Sequence, residues 1–96
     1  MALETGTLVR LSAQTALLGA VTPNLRSFSV EVTDGVVRTL AIYAADPSEH
    51  EKELIQVAAT EIIADFIDET LDEQIIVSAS PIITQLEFEI YRRHEP

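Results

Sequence analysis

Cysteine is absent from the chain, which excludes a disulfide framework, thiolate zinc sites and a cysteine nucleophile together. Glycine occurs only three times, leaving little material for a phosphate cradle, and neither a G-x-G-x-x-G stretch nor a Walker loop is present. Nucleotide cofactors are therefore not expected. Histidine is nearly as scarce: His50 stands in E-H-E-K-E and His94 in R-R-H-E-P, beside no recognisable serine nucleophile and too few for a histidine metal set. Both read as surface residues. No run of about 18 apolar residues exists, so a membrane-spanning helix is not expected. The opening M-A-L-E-T-G lacks the basic and apolar regions of a secretory signal, which makes the cytoplasm the expected compartment.

Positive charge is the other shortage. Six Lys and Arg face sixteen Asp and Glu, a net charge of −10, and the field this creates repels nucleic-acid backbones and anionic lipid surfaces. A basic protein is the partner it attracts. The excess is concentrated, since Asp46 to Glu73 holds ten acids against the single base Lys52. One segment thus carries nearly all of the imbalance.

What is present is enough for one folded unit. The 96 residues are 47% hydrophobic, which suits a single domain spanning 1–96 and is too much for a disordered acidic tail. Leu8, Val9, Leu11, Ala13, Ala16, Leu17 and Leu18 recur at helical spacing, predicting a helix from about Gly6 to Leu18 with Gly19 as its stop. In L-R-S-F-S-V-E-V, Phe28, Val30 and Val32 alternate with Ser27, Ser29 and Glu31, the period of a strand with one buried and one wet face. Asp34-Gly35 then turns the chain into a return strand, Val36 to Ala44.

A second helix opens with Asp46 as cap and Pro47 in its first turn, and runs to about Ile67 on an apolar face of Leu54, Ile55, Ala58, Ala59, Ile62 and Phe66. A third strand within 73–79 and a fourth from Gln85 to Arg92 complete the order α-β-β-α-β-β. The expected fold is α+β, a two-layer domain with two helices packed on a mainly antiparallel four-stranded sheet. Tyr43 and Tyr91 are expected to flank the sheet surfaces, more as packing than as interface anchors.

The candidate site is in E-I-I-A-D-F-I-D-E-T-L-D-E, residues 61–73. On a helical wheel Glu61, Asp65 and Asp68 lie one above another with Glu69 and Asp72 close by, giving one outward face of carboxylates. Acids near a helix C-terminus oppose its dipole at about 0.3–1 kcal/mol each, so the placement calls for a reason. Three readings compete: a merely solvated face, a metal site, and a patch that receives a basic protein. The metal reading lacks a D-x-D-x-D-G loop, and acid–base chemistry by Asp65 and Asp68 lacks a pocket to separate their pKa values. Neither a cofactor, a metal nor an enzymatic activity is expected, and Glu61, Asp65, Asp68, Glu69 and Asp72 are the expected partner-binding residues.

Short blocks of the sequence carry a resemblance. L-L-G-A-V-T-P-N-L-R-S-F-S-V-E-V (residues 17–32), P-S-E (47–49) and A-T-E-I-I-A-D-F (59–66) together resemble small acidic bacterial immunity proteins of contact-dependent growth inhibition systems. The resemblance implies a cytosolic, non-enzymatic inhibitor that binds the C-terminal domain of a cognate toxin, commonly a nuclease. A nuclease presents a basic substrate groove, which meets the charge argument. The alternatives are a self-associating structural or regulatory domain that pairs through a strand edge and a small metal-binding domain.

Overall fold

The computed structural model describes residues 4–82 and 84–95. The elements follow the expected order: α1 (Thr5–Ala16), β1 (Leu25–Thr33), β2 (Val36–Tyr43), α2 (Glu49–Ile63), β3 (Thr70–Val77) and β4 (Phe88–Arg92). Val9, Ala13 and Ala16 bury the inner face of α1 at three- and four-residue intervals. The helix ends two residues sooner than its apolar pattern suggests, which leaves Leu18 exposed, while Leu11 lies on the outer face of the helix itself. Gly19, at φ +84°, takes the left-handed turn that follows.

The β1–β2 hairpin turns on Asp34 (φ 52°) and Gly35 (φ 75°). Positive φ at both central residues is the two-residue turn whose twist matches that of the flanking strands. The helix-facing side of the hairpin carries Phe28 and Val30 from β1 and Val37, Ala41 and Tyr43 from β2, all buried. Tyr43 is therefore core, not a surface anchor. Burial, reinforced by the nearby charges of Glu51 and Glu73, pushes its phenol up to about 12.

α2 is capped by Ser48, not Asp46. Ser48 Oγ accepts from Glu51 N (3.1 Å) while Glu51 Oε1 accepts from Ser48 N (3.0 Å), a reciprocal capping box that leaves Pro47 outside the helix. Glu51 Oε2 also accepts from Thr22 Oγ1 at 2.7 Å. The hydrogen bond from Thr22, then that from the Ser48 backbone, hold the Glu51 carboxyl below its usual range. Ser48→Ala is expected to lower stability by about 1 kcal/mol, measured as a shift of the urea midpoint with an unchanged slope.

The sheet order is β3-β2-β1-β4, with β1 antiparallel to both its neighbours and β3 parallel to β2. The expected mainly antiparallel sheet is thus corrected to a mixed one. The cause is α2, which returns the chain to the same end of the sheet before β3 begins, as a crossover helix between parallel strands does. β3 also starts earlier than expected and β4 later, at Phe88.

Because β3 and β4 lie at opposite edges, the segment joining them crosses the sheet face away from the helices. Leu86 N donates to Ser29 Oγ (3.0 Å) and Glu87 N to Glu31 Oε1 (3.3 Å). Under this strap Leu40 and Ile42 are buried, and so are Ser27 and Ser29, which alternation alone marks as wet. The face expected to be solvated is a second, smaller packing surface.

Arg26 anchors the strap. It is the extra residue at a bulge in β1, between Leu25 and Ser27, and a bulge re-aims its side chain out of the ladder. Its guanidinium donates to the carbonyls of Ser78 and Ser80 and makes two 2.8 Å bonds to the Glu95 carboxylate. Glu95 also accepts from Arg93 at 2.7 Å. The Arg26 bonds, followed by the Arg93 bond, hold the Glu95 carboxyl at about 2 instead of 4.5. Since this folded-state value is depressed, its contribution is full above about pH 4.5 and is lost as pH falls toward 2. Glu95→Gln is therefore expected to flatten the acid limb of a stability–pH curve across that window and to lower stability near neutrality, as followed by urea melts from pH 2 to 7.

Candidate partner-binding surface

The five nominated carboxylates do not share a helical face. Glu61 is exposed on the last turn of α2, but the helix stops at Ile63. Asp65, Asp68 and Glu69 lie in the connection that follows, and Asp72 is on β3. Asp65 N and Phe66 N bond back to Ile62 O and Ile63 O, tightening the final turn. That turn drops Phe66 into the core beside Ile62 without a further turn of helix.

The connection then delivers its acids to one end of the sheet. Thr70 N donates to Gly35 O at 3.0 Å, which sets Asp68 and Glu69 beside the hairpin tip that carries Asp34. The carboxylates around this end of the sheet come from the end of α2, the connection, the start of β3 and that tip, with Asp72 turned to the face away from the helices. Asp34 is absent from the sequence-based set because its turn-forming role explains it fully; only the β2–β3 pairing reveals its neighbours.

The members differ in what holds them. Asp65 Oδ2 accepts from the buried Ser12 Oγ at 2.6 Å, so Asp65 ties the connection to α1 and is partly spoken for. Asp72 faces Arg38 across the β2–β3 ladder at 3.6 Å, and Arg38 also approaches Glu31 at 3.8 Å. These separations are long for ion pairs. Glu69 Oε2 accepts from Asp68 N at 3.2 Å. Among the described residues the side chains of Glu61 and Asp68 have neither a hydrogen-bond nor an ion-pair partner. Glu73 points to the helix side of β3, and burial raises its carboxyl pKa.

Sequence reasoning missed one apolar member. Ile67 marks the end of the expected helix, but the helix ends at Ile63 and Ile67 is 96% exposed, flanked by Phe66 in the core and by Asp68. An exposed isoleucine among carboxylates offers a partner desolvated contact as well as charge. Among the described residues no three His, Asp or Glu side chains converge as a metal-binding group. The depression near the C-terminus is lined by Arg26, His94 and Glu95, but the Arg26 guanidinium there is already engaged by Glu95 and the strap.

Fold and surface together define a small acidic α+β domain that presents carboxylates outward around one apolar side chain. The family model described as MafI2 immunity protein matches residues 7–95, and the chain belongs to that family. It is an immunity-protein family, comparable to the contact-dependent type that the short sequence blocks resemble. No curated protein is significantly similar to the chain.

Proposed function

We propose that this immunity protein acts in the cytoplasm as a non-enzymatic inhibitor of a cognate toxin, of the contact-dependent kind, and that the toxin's C-terminal domain is a nuclease with a basic substrate groove. The acidic end of the domain, Glu61, Asp65, Asp68, Glu69 and Asp72 with Asp34 at the hairpin tip, is the surface that covers that groove. The observation that carries this reading is the juxtaposition of the α2–β3 connection with the β1–β2 turn through the Thr70–Gly35 hydrogen bond. It brings the connection that carries Asp68 and Glu69 up to the hairpin turn, in a chain of net charge −10.

Such a surface speeds encounter with a basic partner by long-range attraction, and repulsion among its own carboxylates is relieved on contact. Glu61 and Asp68 carry the steering charge and Ile67 supplies the apolar contact. Asp65 chiefly positions the connection through Ser12, and Asp72 meets the partner beside Arg38. The test is capture by the full chain of a toxin domain encoded next to it, followed by titration of that domain's nuclease activity. Complete inhibition at one protein per toxin is expected; undiminished activity at saturating protein contradicts the proposal.

A further inference from the structure

The two outer strands of the sheet are β3 and β4, and they differ in how their edges are protected. β4 is five residues long and bulged at Ile90, features that discourage a further strand from pairing. β3 has neither. Its eight residues, T-L-D-E-Q-I-I-V, pair with β2 without a register shift and include no proline, glycine or lysine. A regular edge of this kind is a template for another strand.

The ladder fixes which groups face outward. Thr70 N donates to Gly35 O and Ser78 N to Tyr43 O, so the even-numbered residues of β3 turn their N–H and C=O groups toward β2, and the alternate residues turn theirs away. Leu71, Glu73, Ile75 and Val77 therefore present main-chain donors and acceptors along the outer edge, with no partner among the described residues. An extended backbone is what matches such an array.

Charge selects the occupant. Asp68 and Glu69 directly precede the strand; Asp72 on one face has only the 3.6 Å approach of Arg38. Glu73, half-buried on the other face, has no hydrogen-bond or ion-pair partner among the described residues. The first half of the edge is thus acidic on both faces, while the second half offers Ile76 at 38% exposure and Val77 at 48%. A second copy of β3 fits this pattern poorly. The two-fold register that overlaps all eight residues sets Glu73 diagonal to its own counterpart, a like-charge neighbour on a half-buried face. A segment carrying Lys or Arg instead supplies the charge that both acids lack.

We propose that an extended basic segment of the toxin domain adds to β3 as a fifth strand, its cations beside Asp72 and Glu73 and its apolar residues beside Ile76 and Val77. The inference rests on the toxin reading above and gives it a mode of contact, since a partner that meets Asp68 and Glu69 already stands at the start of this edge. Main-chain bonds then supply affinity, and the order of charged and apolar side chains selects the segment.

Residue-resolved amide hydrogen exchange on the full chain, alone and saturated with the toxin domain encoded next to it, tests this. Exchange at Leu71, Glu73, Ile75 and Val77 is expected to slow by at least about tenfold in the complex, while Asp72, Gln74 and Ile76, already bonded to β2, change little. Ile75→Pro removes one outward N–H and leaves the ladder to β2 intact, a place where an edge strand tolerates proline. It is expected to bind the toxin domain at least about tenfold more weakly than Ile75→Ala, the loss of roughly 1.4 kcal/mol. A complex in which the four outward amides stay unprotected overturns the proposal and leaves the toxin reading standing, as does equal binding by the proline and alanine variants. Protection of those amides in the chain alone as its concentration rises assigns the edge to a second copy and overturns it too. Absence of any complex overturns both readings together.

Discussion

Phe28→Ala is expected to lower stability by about 3–5 kcal/mol, the range for deleting a buried phenylalanine ring. Phe28 is 1% exposed on β1, opposite Ala41 of β2 and Tyr91 of β4, and it faces the helices from an inner strand of the sheet. The ladders on both sides limit how far the site can close over the cavity, which puts the loss in the upper part of the large-to-small range. A domain of this size has about 5–15 kcal/mol in all, so the variant loses a large share of it. Urea unfolding should show a lower midpoint at an unchanged slope. Phe28→Leu, closer in volume and still apolar, is expected to lose distinctly less. A loss below about 1 kcal/mol for the alanine variant contradicts the assigned packing.

Reversing charge at Glu61, Asp68 and Glu69 together is expected to slow association with the toxin domain by about 10- to 100-fold at low salt, because steering charges act mainly on the association rate. The difference between variant and wild type should shrink as ionic strength rises and the Debye length falls below about 10 Å. Asp65 is left unchanged because removing its bond to Ser12 disturbs the fold, and Asp72 because of its proximity to Arg38. With those two intact, the thermal midpoint should hardly move, since surface substitutions away from such contacts fall within about ±0.5 kcal/mol. Stopped-flow association at several salt concentrations checks both parts.

Much of the fold was legible because local rules and tertiary structure agree in it. The spacing of Val9, Ala13 and Ala16 marks α1, that of Ile55, Ala58, Ala59 and Ile62 marks α2, and Asp34-Gly35 marks the hairpin. The parallel pairing of β3 was not legible, because a strand alternates in the same way whichever direction its neighbour runs. Nor was the burial of Ser27 and Ser29, which depends on a strap passing over them from a segment some 57 residues away along the chain.

The end of α2 was hidden for a related reason. Ile62 and Phe66 are four residues apart, as on one helical face, and Phe66 does reach the core, but by a tightened turn. Periodicity records that a residue is buried without recording by what route. The acids beyond Ile63 consequently looked like one ridge. Their concentration in one segment was visible in the sequence; their division into Asp65 bonded to Ser12, Asp72 facing Arg38, and Glu61 and Asp68, whose side chains have no partner among the described residues, depends on contacts distant in the chain. Asp34 and Ile67 join the surface for the same reason.

The most direct measurement is a side-by-side titration of the nuclease activity proposed for the toxin domain, with the wild-type chain and with the Glu61, Asp68 and Glu69 charge-reversal variant at low salt. The wild type is expected to abolish activity at equal stoichiometry, and the variant to require a concentration higher by about an order of magnitude or more. Equal potency of the two proteins contradicts the assignment of the toxin to the acidic end.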